Sequence, residues 1–398
     1  MRRHIAFIGR DGTGHVNPTL PMVAELVRRG HRVTYAVSES FADAVRGAGA
    51  RPLLLPDAQF RHGGRSGEQA LRRSETDVVA MIADLLLAYT ERELPVLREG
   101  FAADRPDVIC YDANSLAGAV LARLLGVPAV QIRPSFAAND HYTPLQEFVP
   151  DPERLTASVQ AADARVREYT SAFGVTDTLG TILTRVPGDL ALVCVPRPFQ
   201  YAGDTFDDRY VFIGPSAHHR TDSGSWTPPP AGTPLLFISL GTLMNENPEF
   251  FRLCIDAFGG TDRHVAMAVG DRVELPELGA LPDNFEIRPF FPQLDVLEHA
   301  TGFVTHGGMN SAMEAVLRQV PTVAVPQMPE QRGTARRLEE LGLGVTLADQ
   351  TAPALRHAVL EAERDEGIRK NLAGMAEALQ AAGGARAAAD AVEKLLLG

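Results

Sequence analysis

Thr305-His306-Gly307-Gly308-Met309-Asn310-Ser311-Ala312-Met313-Glu314, with Phe290-Phe291-Pro292-Gln293 before it and Pro326-Gln327-Met328-Pro329-Glu330-Gln331 after it, is the stretch whose reading decides the fold. Just ahead of it, Gly302-Phe303-Val304 is a short apolar run of the kind buried parallel strands show. Behind the two glycines, Met313, Val316 and Leu317 recur at helical spacing, and Asn310 or Ser311 stands where a helix cap belongs. The local order is strand, glycine turn, helix start. A helix N-terminus offers free backbone N–H groups, here from Gly308 and Met309 onward, and a partial positive charge; both suit a phosphate. His306 adds a neutral or cationic donor at the same point, and Glu314 lies one turn in, placed to accept from a ribose hydroxyl. These are the parts for holding a nucleoside diphosphate without a lysine-bearing phosphate loop.

Outward from this stretch, the two halves of the chain open alike. His4-Ile5-Ala6-Phe7-Ile8 runs into a glycine turn, and Leu235-Leu236-Phe237-Ile238-Ser239 repeats the arrangement. In the first half the patterning predicts helices over 18–29, 41–48 and 116–125, with strands over 32–37, 52–55, 108–111 and 129–132. Residues 66–98 have helical spacing, and 152–173 reads as a more polar helix. In the second half it predicts strands near 265–269, 285–288, 303–305, 322–325 and 345–347. Strands alternating with helices call for a parallel sheet covered on both faces. A chain of 398 residues is too long for one ordinary core. The expectation is an α/β protein of two doubly wound, Rossmann-like domains, over 1–215 and 234–380. A linker over 216–233, stiffened by Pro228-Pro229-Pro230, joins them, and a closing helix lies within 381–398. The carboxyl ends of the strands, where open parallel sheets bind ligands, would then face each other across a cleft.

Composition narrows the function. The formal charge of −12 argues against a general nucleic-acid binder, since phosphate-backbone affinity rests on clustered Lys and Arg. Cys110, Cys194 and Cys254 are widely spaced among apolar neighbours and read as buried cysteines in a reducing compartment. No apolar stretch approaches the roughly 20 residues that span a bilayer, and the apolar run after Met1-Arg2-Arg3 ends at Gly9, too soon for a signal peptide. A cytoplasmic protein is expected, either monomer or homodimer. No Asp-X-Asp motif and no His/Cys cluster at ligand spacing occurs, so neither a metal nor another cofactor is expected.

His15 lies in the loop after the first strand, and Asp112 ends a later strand of the same sheet. An Asp bonded to one imidazole nitrogen fixes the tautomer and raises the basicity of the other, which can deprotonate a hydroxyl. The plainer alternatives are a histidine that caps a helix or bonds a backbone carbonyl, and an Asp112 that caps the helix after it. Asn17 stands where a dinucleotide fingerprint puts its third glycine, which weakens a nicotinamide reading. In the second half, Ser239 and Thr242 flank Gly241 at a strand end and suit either phosphate oxygens or a plain turn. The insertion after the strand at 129–132 carries Phe136 and Tyr142. With the segment from Asp57 to Met81 it is the expected wall for a bulky acceptor.

These motifs, in this order, resemble the nucleotide-sugar-dependent glycosyltransferases of the GT-B fold, and within them the bacterial macrolide glycosyltransferases. Gly12-Thr13-Gly14-His15-Val16-Asn17-Pro18 is similar to the family's acceptor-side motif. Ser239-Leu240-Gly241-Thr242 is similar to its interdomain phosphate loop, and the likeness spans nearly the whole chain. The resemblance implies His15 as general base with Asp112 as its partner, Gln293 at the nucleotide base, and Glu330 with Gln331 on the sugar hydroxyls. Glu330 and Gln331 could equally just begin a helix after Pro329. Phe290 stands where many relatives carry a base-stacking Trp; Phe stacks with less area and no N–H. By the same analogy the closing helix crosses back to the first domain. The implied activity is metal-independent, inverting transfer of a sugar from a UDP- or TDP-sugar to a hydroxyl of a hydrophobic macrolide, other polyketide or phenolic compound. Two other classes stay open: a sugar-nucleotide-modifying enzyme such as a 2-epimerase, and a non-catalytic nucleotide-sugar-binding protein.

Overall fold

The computed structural model describes residues 2–56, 78–175, 189–215, 225–242 and 245–397. Residues 57–77 of the expected acceptor wall, and 216–224 of the expected linker, lie outside the described residues. Contacts divide the chain into one unit of Met1–Ser216 with Ala382–Gly398 and a second of Ala217–Ala381.

The first unit holds β1 (His4–Ile8), α1 (Thr13–Val16), α2 (Leu20–Arg28), β2 (Arg32–Val37), α3 (Glu39–Gly47) and β3 (Arg51–Leu54). It continues through α4 (Val78–Ala102), β4 (Val108–Asp112), α5 (Leu116–Leu125), β5 (Ala129–Arg133), α6 (Pro152–Ser171), β6 (Leu190–Val193) and β7 (Tyr210–Phe212). The strands form one parallel sheet in the order β3-β2-β1-β4-β5-β6-β7. Alternation along β1 shows why the sheet is two-sided. Ala6 and Ile8 enter the apolar layer beneath α4 and α5, while Ile5 and Phe7 enter the opposite layer with Met22, Val23 and Leu26 of α2. Cys110, Cys194 and Cys254 are free and buried; burial pushes the Cys194 thiol up to about 12, so it stays protonated.

The second unit comprises β8 (Leu235–Ser239), α7 (Pro248–Phe258), β9 (His264–Ala268), β10 (Phe285–Arg288), α8 (Gln293–Leu297), β11 (Gly302–Thr305) and α9 (Met309–Leu317). β12 (Thr322–Ala324), α10 (Pro329–Glu340), β13 (Gly344–Thr346), α11 (Ala352–Arg364) and α12 (Glu366–Ala381) complete it. Its sheet is parallel in the order β10-β9-β8-β11-β12-β13. Each sheet therefore reverses its winding once, between β1 and β4 and between β8 and β11. Such a reversal opens a crevice at the carboxyl ends of the two central strands.

The last helix, α13 (Gly384–Leu395), belongs to the first unit. Ala388, Ala389 and Val392 are buried against α2, and burying Val392 alone contributes roughly 1.5–3 kcal/mol. Arg29 bonds Asp390 and Glu393 at 2.6 Å each, and His31 Nε2 lies 2.8 Å from Glu393. Partly exposed ion pairs of this kind contribute about 0–1 kcal/mol, so apolar burial holds the helix and the charges set its register.

The structure departs from the sequence expectation in identifiable places. Helix 18–29 begins only at Leu20, and His15 sits not in open loop but in the separate single turn α1. The helical spacing at 66–98 becomes α4, which runs on to Ala102 with Pro95 inside it. β6, β7, α7, α11 and α12 lie outside the predicted elements, although the apolar run of β6 and the spacing of Phe250, Phe251, Cys254, Ile255 and Phe258 along α7 carried the signal.

Candidate active site

On the first unit, Gly12 (φ 142) bends the chain after β1 so that the His15 and Val16 N–H groups both bond the Gly12 carbonyl at 3.0 Å. This turn presents His15 to Asp112, the last residue of β4, one strand across the winding reversal. His15 Nδ1 lies 2.8 Å from Asp112 Oδ2. Asp112 is 3% exposed, and its other oxygen accepts from Asn114 N–H at 2.8 Å. The helix-cap alternative for Asp112 is set aside by Ser115, whose Oγ caps α5 by accepting from Gly118 N–H at 3.2 Å. A carboxylate only accepts, so Nδ1 carries the hydrogen and Nε2 is left as the basic nitrogen. Burial disfavours the imidazolium, but the Asp112 charge and hydrogen bond outweigh it, and the His15 pKa lies above the ordinary histidine value.

Phe136 and Tyr142, expected at the acceptor wall, lie within the first unit. Both are buried in an aromatic cluster: Phe136 stacks on Phe199 at 5.7 Å, and Tyr142 on Tyr201 at 5.0 Å. Met81 is half-buried on α4. Sequence reading passed over Glu93, buried on the same helix, whose carboxyl is pushed up to about 7 by burial. A lone acidic residue at an apolar position of the helix was the available signal.

On the second unit, His306 follows β11 and lies against the turn after β8. Gly241 has φ 81, and a Cβ there would stand 2.7 Å from His306 Cε1 and Nε2. A Cβ at Gly308 would fall on His306 Nε2. Both glycines are thus required by the imidazole between them. Burial lowers the His306 pKa to about 4, partly offset by a backbone hydrogen bond at Ser239, so the ring is neutral near pH 7. Ser239 Oγ accepts from Gly241 N–H at 3.3 Å, holding the turn, and Thr242 is exposed beside it.

α9 begins at Met309 with Gly308 as its N-cap and no side-chain cap, so neither Asn310 nor Ser311 caps it, contrary to the sequence expectation. Its first internal bond is Ala312 N–H to Gly308 O, 2.9 Å. The N–H groups of its first turn point toward the space before the helix. Glu314, 4% exposed, accepts from Gln293 Nε2 at 2.6 Å, and the same amide lies 3.2 Å from Ser311 Oγ. Gln293 therefore braces Glu314, a role its sequence position did not reveal. Phe290 is 54% exposed on the loop after β10, with its ring open for stacking.

Gln331 spends its Oε1 on the N–H groups of Gln327 (2.8 Å) and Met328 (3.1 Å), capping α10 from within. The helix-start alternative is thus what this oxygen does. Glu330 beside it differs: its Oε2 is buried without a hydrogen-bond partner among the described residues, and burial raises its pKa. Such an oxygen is costly unless a ligand hydroxyl reaches it.

The chain is similar to known proteins over nearly its whole length. Residues 252–395 match the family described as erythromycin biosynthesis protein CIII-like, C-terminal domain. The chain is 38% identical to the demethyllactenocin mycarosyltransferase of Streptomyces fradiae, over 99% of this chain and 86% of that protein. It is 35% identical to the oleandomycin glycosyltransferase of Streptomyces antibioticus, over 98% and 90%. Among solved structures, CalG4, the calicheamicin glycosyltransferase, superposes with a TM-score of 0.84 at 33% identity, over 99% and 98% of the two chains.

Proposed function

Since this chain belongs to the macrolide-type glycosyltransferases of the GT-B fold, we propose that it moves a sugar from a uridine or thymidine diphosphate donor to a hydroxyl of a hydrophobic natural product, with inversion and without a metal. The observation that carries the mechanism is the 2.8 Å contact of His15 Nδ1 with Asp112.

In this reading the acceptor hydroxyl gives its proton to His15 Nε2 as its oxygen bonds to the anomeric carbon. The bond from that carbon to the diphosphate breaks, and its electron pair leaves on the phosphate oxygen. Asp112 holds the imidazole in its tautomer and stabilises the imidazolium that forms. The leaving charge is received by the first-turn N–H groups of α9, with His306 and the turn Ser239–Thr242 beside them. Phe290 stacks on the base, Glu314 accepts from the ribose with Gln293 holding it, and Glu330 takes a sugar hydroxyl. A single base and direct displacement imply inversion.

The experiment is incubation with UDP- and TDP-sugars and macrolide, polyketide or phenolic acceptors, with the product's anomeric configuration assigned by NMR coupling. A β-product from an α-donor is expected. An α-product would overturn the scheme, and donor altered without acceptor would indicate a sugar-nucleotide-modifying enzyme instead.

A further inference from the structure

We propose that Asn245, outside all the motifs read from the sequence, is a positioning residue for the donor diphosphate. It holds the Gly241 turn against His306. The inference rests on the donor-site reading above and deepens it.

Asn245 is 1% exposed, and its Nδ2 donates to the Gly241 carbonyl at 2.9 Å. The same amide lies beside Gly270, just past the end of β9, where an added Cβ would fall on Nδ2 itself. A Cβ at Gly270 would stand 2.6 Å from Asn245 Cγ and 2.9 Å from its Oδ1. Gly241 in turn leaves no room toward His306, and His306 none toward Gly308. The contacts therefore run Gly270, Asn245, Gly241, His306, Gly308, across the carboxyl ends of β9, β8 and β11, neighbours in that order in the sheet. Gly241 at φ 81 is a conformation that only an outside hold keeps populated, because glycine visits many others. Asn245 supplies that hold through the peptide on the carbonyl side of Gly241, so the same bond orients the next N–H in the turn. A side chain selected for packing alone would also be apolar. Asn245 instead keeps its Oδ1 buried with no partner among the described residues, a cost accepted for the bond made by Nδ2.

The test titrates calorimetrically a nucleoside diphosphate (UDP and TDP) and the matching free nucleosides into the full chain. Asn245→Ala and the isosteric Asn245→Asp are compared with wild type. A positioning role predicts diphosphate affinity roughly tenfold weaker in Asn245→Ala and weaker still in Asn245→Asp, where a carboxylate faces the Gly241 carbonyl. Nucleoside affinity and acceptor KM should stay within about twofold, because neither reads the turn. Equal weakening of nucleoside and diphosphate would make Asn245 a general structural residue, and unchanged diphosphate affinity would give it no role; either overturns the proposal. Loss of the folded state in both variants would show that Asn245 holds the domain and not the turn, and also overturns it. If wild type binds neither diphosphate, the donor-site reading itself fails, a result separate from these.

Discussion

His15 and His306 occupy matching places, each after a central strand of a parallel sheet and each beside the point where that sheet reverses its winding. Their surroundings set them to opposite tasks. His15 faces a buried carboxylate and is more basic than an ordinary histidine, whereas His306 lies among two glycines and backbone and is held near 4, neutral at physiological pH. The same side chain is more basic where a charge faces it and neutral where none does. In the proposed reaction His15 would take the acceptor's proton and His306 would stand beside the leaving diphosphate.

The contrast is tested most strongly at His15. His15→Ala should lower kcat by about 10²- to 10⁴-fold, the usual worth of a positioned general base, with nucleoside diphosphate affinity nearly unchanged by calorimetry. Parallel loss of both would make His15 structural and erase the distinction. Asp112→Asn should cost less, on the order of tenfold to a hundredfold. It also carries a sign: Asp112 holds the His15 pKa up, while burial and Arg10 push it down. With the carboxylate gone, the acid limb of the kcat/KM profile, which falls as His15 takes a proton, should move to lower pH. A limb that stays in place would mean that another group titrates.

On the other unit, Gly308→Ala drives a methyl into the His306 ring and should weaken diphosphate binding by about 1–3 kcal/mol, leaving acceptor KM alone. His306→Ala removes only a neutral partner, so a loss of about 0.5–1.5 kcal/mol is expected in the same titration. A loss several times larger would show that the ring is cationic when diphosphate is bound, and the two histidines would then differ less. Smallest of all, chelating divalent ions should leave turnover unchanged. Abolition reversed by Mg²⁺ or Mn²⁺ would replace the helix start with a metal as the carrier of the leaving charge.

The alternation of strands and helices was legible in the chain, because continuous apolar runs such as Ile5 to Ile8 and Leu235 to Ile238 lie inside a sheet covered on both faces. The sequence also determined where chemistry gathers, since Gly and His behind a strand mark a turn whatever surrounds it. Tyr210–Phe212 escaped it, although Thr322–Ala324 and Gly344–Thr346 are as short and did not; its place in the sheet comes from pairing with Leu190–Val193. Which groups are spent and which are available depends on the packing of distant segments. Gln293 and Glu314 are 21 positions apart, and their 2.6 Å bond follows from the packing of two helices. Adjacent Glu330 and Gln331 look interchangeable in the chain, yet one oxygen caps a helix while the other is buried without a partner. His15 and Asp112 were legible as a pair of candidates, but their opposite in His306 was not. Burial and the nearest charge shift a histidine by units of pKa, and both are properties of what the fold brings alongside.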